Sequence, residues 1–560
     1  MRLIAFPPRG LTRRRFLGQS SLALAGAVLN PHIGAEFVAL PARSSRAVGT
    51  FLQPVFDPHT LRQLATTAIE AAIHAGADWA DVRLGDHRAY DSAGATLLCG
   101  YSLRVRIRGV DAFTGGTELT PETLVAAARS AVTIARGLAS LASTAESLSL
   151  APTPVVTGEW RTPVEIDPFA VSIDDHAFVS ESVGGMYDGP LLRMGCRVNA
   201  WYRWSSETRV FASSEGSLLT QFLTNVDAGK VVSKDHWRHQ WANGERVELP
   251  VPSVQPCSGG FEVAVRPDRY ASVQATAEDV LRYAALPSQL LDVGRQHIIL
   301  DGALHAQLLG SLLPALSLHR ALGNDMDVTG ASLFAPPEAV LGQQRFSPLL
   351  HCMVDTGVPH FGAAAWDDEG VATTGLPLIV RGIVVNYLST RATFPALAAL
   401  LPSGRMSNTI PGAIPGTIPG VAYGDLSAPP AEVARSVSVR PSSNACPLPE
   451  LAKVLGNGLL AHGGWTWMDP AGNGGYIYPT MMGEVRNGNI VRRVFGPRLM
   501  FSTKRFLPTL STVGDASTIG ATMMERSLSG FPWVVTRQAV TAPAGHYRDI
   551  DIVPRAFASS

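Results

Sequence analysis

The spacing of apolar positions changes along this chain, and each change marks an element. Pro58–Ala75 places apolar residues three and four apart, which predicts an amphipathic helix. Ala80–Leu84 and Tyr101–Arg108 alternate polar with apolar residues, the period of a half-buried strand. Thr120-Pro121-Glu122-Thr123 reads as a helix start, with a Thr cap and Pro at the first helical position, and the helix is expected to reach about Arg136. Thr208–Gly216 reads as a strand entering a turn, and Arg269–Leu286 as a helix. From about residue 290 onward, short β-type runs alternate with Gly/Pro turns. Hairpins are expected around Arg381-Gly382 within Ile379–Leu388 and around Asn487-Gly488 within Val485–Val494, the second a strong type I′ signal. Between them Ile410–Gly420 holds three Ile-Pro-Gly units, a loop that is either passive surface or a flap over a groove.

One stretch organises the rest. His297–Leu300 is a β-type run, Asp301-Gly302 turns, and about 18 helix-forming residues follow. Leu304, Leu308, Leu309, Leu312, Leu313, Leu316 and Leu322 give that helix a buried apolar face.

With 560 residues, 46% hydrophobic and 16% charged, the chain has material for two or three domains and a large core. Lys+Arg and Asp+Glu are equal at 46 each, so no net electrostatic pull toward nucleic acid or anionic lipid is expected. The five cysteines are scattered without a CxxC, and no disulfide framework is indicated.

The N-terminus adds an address. Thr12-Arg13-Arg14-Arg15-Phe16-Leu17-Gly18 precedes the small, apolar run Ser20–Leu29, the pattern of a twin-arginine export signal. Its apolar core is too short to span a bilayer, and cleavage is expected after Ala35 or near Ala42. No other run of 18 apolar residues is read, so the expectation is an extracytoplasmic chain, periplasmic where that compartment exists, without a membrane span after cleavage.

Candidate chemistry is sparse. His236 and His239 form an HxxH pair, but strand spacing sends the two side chains to opposite faces. His351, Cys352 and His360 lie close in sequence, yet adjacent strand residues also diverge. No GxSxG, Walker loop or GxGxxG stands in strand–turn–helix context.

Several segments, in order, resemble the TldD/PmbA family, also called modulator-of-gyrase-like proteins. Ala77–Leu84 is similar to the family's first strand entry, and Val210–Gly216 to its "NSEG" turn. Trp366-Asp367-Asp368-Glu369-Gly370 matches its "DDEG", Gly404–Thr409 its "RMTNT", and Glu484–Ile490 its late hairpin. The resemblance implies an α+β fold: a small N-terminal α+β domain at 55–145, a central domain at 146–290 and a largely antiparallel β-rich domain at 291–560. A signal peptide at 1–35 and a linker at 36–54 precede them.

TldD-type members of that family are zinc peptidases with HExxxH on the helix after the β-run and a late cysteine. The matching positions here are Leu309, Gly310 and Pro314, and shifted registers give Gly310, Ser311 and Ala315, or His305, Ala306 and Gly310. No cysteine follows Cys446, and the matching loop reads Val513–Thr522. A catalytic zinc needs about three protein ligands and a base for its water, none of which Leu, Gly or Pro supplies. The implied reading is a non-catalytic peptide-binding homologue with no cofactor, its groove lined by Asp367, Asp368, Glu369, Arg405 and Asn408. It would bind an extended peptide or unfolded segment and assemble with itself or an active TldD-type paralogue. Two alternatives stand beside it. One is a metallopeptidase with zinc in a site rebuilt from His305, His319, His351, Cys352 or His360; the other is an envelope structural protein.

Overall fold

The computed structural model describes all residues except 1–35, 39–43, 92–93, 142–148, 182–196, 234–247, 250–254, 267–281, 284, 324–331, 401–417, 419, 425, 427, 443–444, 496–497, 525–536 and 554–560. The arginine pair, the HxxH pair, Arg405, Asn408, all but Ile418 and Gly420 of the Ile-Pro-Gly segment, and most of the helix expected at Arg269–Leu286 lie outside the described residues.

Helix α1, Pro58–His74, starts where Asp57 accepts the backbone N–H groups of His59 and Thr60 at 2.9 and 3.0 Å. Strands β1 (Trp79–Asp91), β2 (Gly94–Ile107) and β3 (Val110–Gly116) follow, then helix α2, Pro121–Leu141. Long strands β4 (Arg197–Ser213) and β5 (Leu218–Ser233) complete a nine-stranded sheet with several short strands. Because β1 pairs β4 from Asp81 to Asp91, the segments read as separate N-terminal and central domains share one sheet. Leu61, Leu64 and Ala68 of α1 and Leu124, Ala128 and Val132 of α2 are buried in one cluster with Val82, Leu103 and Val210. Each such Leu side chain contributes on the order of 2 kcal/mol.

Strands β1 and β2 outrun the short alternating runs seen in the sequence. Beyond Leu84 the chain reads Gly85, Asp86, His87 and Arg88, with Asp86 fully buried, so polarity masks the strand pattern there. Helix α2 extends past Arg136 to Leu141 and is long and apolar enough, by length and composition, to cross a membrane. Its buried face lies against the first sheet.

The C-terminal part holds β6 (Gly294–Leu300), helix α3 (Gly302–Leu312), β7 (Cys352–Val354), β8 (Leu376–Val380) and β9 (Ser436–Val439). After these come β10 (Gly458–Met468), β11 (Gly474–Arg486), β12 (Asn489–Phe495), β13 (Arg498–Ser502), β14 (Gly520–Met524), β15 (Gln538–Ala542) and β16 (Gly545–Val553). In the eight-stranded sheet β11, β10, β6, β16 and β13 lie side by side, and a further β11–β13 pairing closes these five into a barrel. A six-stranded sheet runs β8, β7, β9, β15, β14 from a short edge strand. Most pairings are antiparallel, as expected, but β6–β10 and β9–β15 are parallel. Helix α3 lies between the two sheets, touching β10 on one side and β14 and β15 on the other.

Candidate functional site

Asp301 fixes the start of α3. Its carboxylate accepts the N–H of Leu304 at 2.8 Å and that of Gly463, on β10, at 2.8 Å. The helix then tightens into a 3-10 turn over Leu313–Leu316, where Pro314 stands. Leu309 is buried, and a β-carbon added at Gly310 would run into Met524 of β14 and Val540 of β15. Gly310 therefore faces the six-stranded sheet across hydrocarbon, and Leu309 lies in the apolar core.

A different side of the helix reaches solvent. Ala303, Gln307, Ser311 and Pro314 are half-buried while their neighbours are buried, so they form one stripe along successive turns. Ser311 Oγ donates to the carbonyl of Gln307 at 2.9 Å and meets Thr466 Oγ1 of β10 at 2.7 Å. Thr466 Oγ1 also bonds the Gln307 carbonyl at 3.0 Å, and Thr522 Oγ1 of β14 donates to Gln307 Oε1 at 2.6 Å. The side-chain nitrogen of Gln307 makes no hydrogen bond among the described residues. The result is an uncharged polar floor between strands of two sheets. From sequence, Ser311 stood out only as a shifted motif position and Gln307 not at all, although the two, one turn apart on an otherwise apolar helix, were the available signal.

Zinc does not fit this helix. Leu309, Gly310 and Pro314 offer no donor atom, and His305, the imidazole carried by this helix, is committed elsewhere. The Pro543 carbonyl can only accept, so His305 carries its proton on Nδ1 and donates it there at 2.7 Å. Its Nε2 then accepts from the Tyr547 hydroxyl at 2.8 Å. Burial lowers the His305 pKa to about 4.

The other candidate ligands do not gather around an ion. Cys352 is buried on β7, and burial pushes its thiol up to about 12. His360 Nε2 stands 3.9 Å from Asp355, His351 is half-buried beyond Cys352, and His319 lies in the short helix after α3. Among the described residues no three His, Cys, Asp or Glu side chains are placed to hold a metal.

Asp367, Asp368 and Glu369 are together, as their run requires, but inside the protein at 2%, 4% and 0% exposure. Asp367 accepts the N–H groups of Glu369 and Val371 at 2.9 Å and that of Ala422 at 3.0 Å. Asp368 receives Arg83, Arg209 at 2.6 Å and the Gly424 N–H at 2.8 Å. Glu369 receives Arg104 at 2.7 Å and the Arg391 N–H at 2.6 Å, and Arg391 holds Glu215 through two bonds. Burial raises Asp367 well above the carboxylate range, and the neighbouring Glu369 adds to this. Burial also pushes on Asp368, but Arg209, Arg83 and Arg435 outweigh it and hold that carboxyl low. Arg83, Arg104 and Arg209 come from β1, β2 and β4, so the run clamps the first sheet to the C-terminal part instead of lining an open groove.

Comparison with known proteins gives three findings. Residues 293–543 match the PmbA/TldA metallopeptidase C-terminal domain. A metalloprotease of Methanothermobacter thermautotrophicus is 27% identical over 205 residues, 36% of this chain and 40% of that protein. The chain thus spans less than half the length of that relative. Among solved structures, TldE from Thermococcus kodakarensis superposes with a TM-score of 0.60 at 14% identity, covering 88% of this chain and 100% of that one. A candidate modulator of DNA gyrase from Bacteroides thetaiotaomicron gives 0.59 at 14%, covering 88% and 99%. At that identity the two structures speak for the fold alone.

Proposed function

This chain belongs to the TldD/PmbA family, and we propose that it is an exported, non-catalytic member that holds extended peptide segments. The reading is of a metallopeptidase-like scaffold whose helix no longer serves a metal. One observation carries it. The open side of α3 presents Gln307 and Ser311, joined by Thr522 and backed by the buried Thr466, all hydrogen-bonding and uncharged, while the positions matching the zinc motif hold hydrocarbon. Hydroxyl and carboxamide groups suit peptide C=O and N–H groups, and they do not activate water. Assembly with a second copy or with an active TldD-type paralogue would bring a peptide from this floor to a working metal site. The arginine pair ahead of Ser20–Leu29 supports export.

Two measurements on the purified protein test this. Metal analysis should find zinc far below one per chain, and no chelator-sensitive peptide hydrolysis. A photo-crosslinking extended peptide should label the α3 segment, and Gln307→Leu with Ser311→Ala should reduce that labelling. Near-stoichiometric zinc with hydrolysis lost on chelation would overturn the non-catalytic reading. Labelling that never touches α3 would leave the envelope structural alternative.

A further inference from the structure

Away from the polar floor at α3, the outer wall of the barrel carries a feature the proposed function does not use. Trp465 and Trp467 of β10 are 53% and 50% exposed, large values for indole rings. They stand outside because the residues between and beside them are committed inward: Thr466, Met468 and Ile477 are all buried. Gly463 and Gly464, with φ of 53° and 115°, precede the pair; upstream of them Leu460 and His462 are covered by the rest of the molecule. Strand β6 pairs β10 only over Leu459–Ala461, so the Trp half of β10 lies beyond that partner.

The indoles are fixed, not loose. Trp465 faces Tyr478 across the strands and stacks on it, ring centroids 4.1 Å apart and planes within 14°. Trp467 faces Tyr476 with centroids 6.1 Å apart. Arg498 of β13 completes the patch, its guanidinium 5.6 and 5.9 Å from the Tyr476 and Tyr478 ring centres. Among the described residues Arg498 has no carboxylate partner, and its buried Nε–H has no acceptor. Met500 lies directly across from Tyr476.

We propose that this face is a binding site for an acidic saccharide. Two indoles two residues apart on one strand are separated by about 7 Å. They offer π faces to the C–H faces of successive sugar rings, with Trp465 held by its stack on Tyr478 and Trp467 set against the tilted ring of Tyr476. The uncompensated guanidinium sets the charge of the ligand, because a carboxylate forms the strong bidentate bond it lacks. A nucleic acid strand would also stack on aromatic rings, but it needs a basic track, and among the described residues this patch is given one cation, Arg498. This face packed against itself in a second copy would bring Arg498 to the same aromatic rings without a carboxylate to meet it.

Calorimetric titration of the full-length mature protein with a short oligogalacturonate tests the site. A neutral cello-oligosaccharide of equal length, polyglutamate and oligothymidylate serve as comparisons. Saturable binding is expected for the uronate, at least tenfold weaker for the neutral sugar. Trp465→Ala and Trp467→Ala should each lower uronate affinity tenfold or more, and Trp467→Phe should restore part of it. Arg498→Gln should bring uronate affinity down to that of the neutral sugar. Unchanged melting temperatures would confirm that these surface variants fold. Equal affinity for the neutral sugar, preference for polyglutamate or oligothymidylate, no binding at all, or a dimer that dissociates on Trp465→Ala would each overturn the assignment.

Discussion

Asp368 and Glu432 are both buried carboxylates, and their surroundings send them opposite ways. Burial pushes Glu432 up to about 7 against hydrogen bonds from Ser317, Thr393 and the His319 N–H. Its folded-state pKa is raised, so its contribution to stability is complete below the unfolded value of about 4.5 and is lost as pH rises through about 7. Glu432→Gln removes that titration. Urea unfolding at pH 5 and pH 8 should show the variant gaining on the parent by up to about 3 kcal/mol at the higher pH. A parent–variant difference that stays flat with pH would contradict this. Asp368, held low by its arginines, contributes above the ordinary carboxylate pKa and loses that contribution as pH falls through its depressed folded value. Asp368→Asn leaves Arg83 inside the protein without its carboxylate and Arg209 with Glu207 alone, and the expected loss is about 3 kcal/mol, read from urea midpoints. The sequence displayed the Asp-Asp-Glu run but not its role, since the partner arginines are 285 and 159 positions away. Nothing local distinguishes a solvated acidic turn from an ion-pair clamp.

Local chemistry was far more legible where an element closes on itself. Arg381-Gly382 and Asn487-Gly488 both turn with positive φ at each residue, 50° and 76° in the first and 49° and 76° in the second, as the hairpin reading requires. The α3 helix starts where leucine spacing put it but is shorter than the roughly 18 residues expected: it ends at Leu312, a 3-10 turn holds Pro314, and the extended Ser317 separates the short helix Leu318–Ala321. What spacing did not reveal is how closely other strands approach it. A β-carbon at Gly302 would strike backbone atoms of Gly520, Thr518 and Ala542, which have nowhere to go. Gly302→Ala is therefore expected to cost about 3 kcal/mol or more, visible as a large drop in melting temperature. At Gly310 the nearest obstacle is the flexible end of Met524. Gly310→Ala should be milder, and Met524→Ala should recover part of its loss in a double-mutant cycle. Equal losses at the two glycines would show that the strands can move away from the helix.

At the scale of the molecule, the barrel closes only with its last strand. β16 pairs β6 on one side and β13 on the other, with Ile299 opposite His546 and Leu499 opposite Ile552. Its Tyr547, Ile550 and Ile552 are buried in the cluster that also holds the α3 leucines. The order of elements along the chain made a β-rich C-terminal part readable, but not this closure, because partners so far apart in sequence leave no local pattern. Nearly the whole chain must be made before β6 finds both neighbours. The proposed twin-arginine route carries folded cargo, and that connects the topology to export in a testable way. Arg13→Lys with Arg14→Lys should leave a folded, protease-resistant precursor in the cytoplasm. Deleting residues 545–560 from a precursor with its arginines intact should also block export, because β6 and β13 lose their shared partner and the core opens. Fractionation followed by immunoblotting separates the outcomes. If the truncated chain reached the extracytoplasmic fraction as well as the parent does, folding before export would be refuted, while the peptide groove and the saccharide face would stand unaffected.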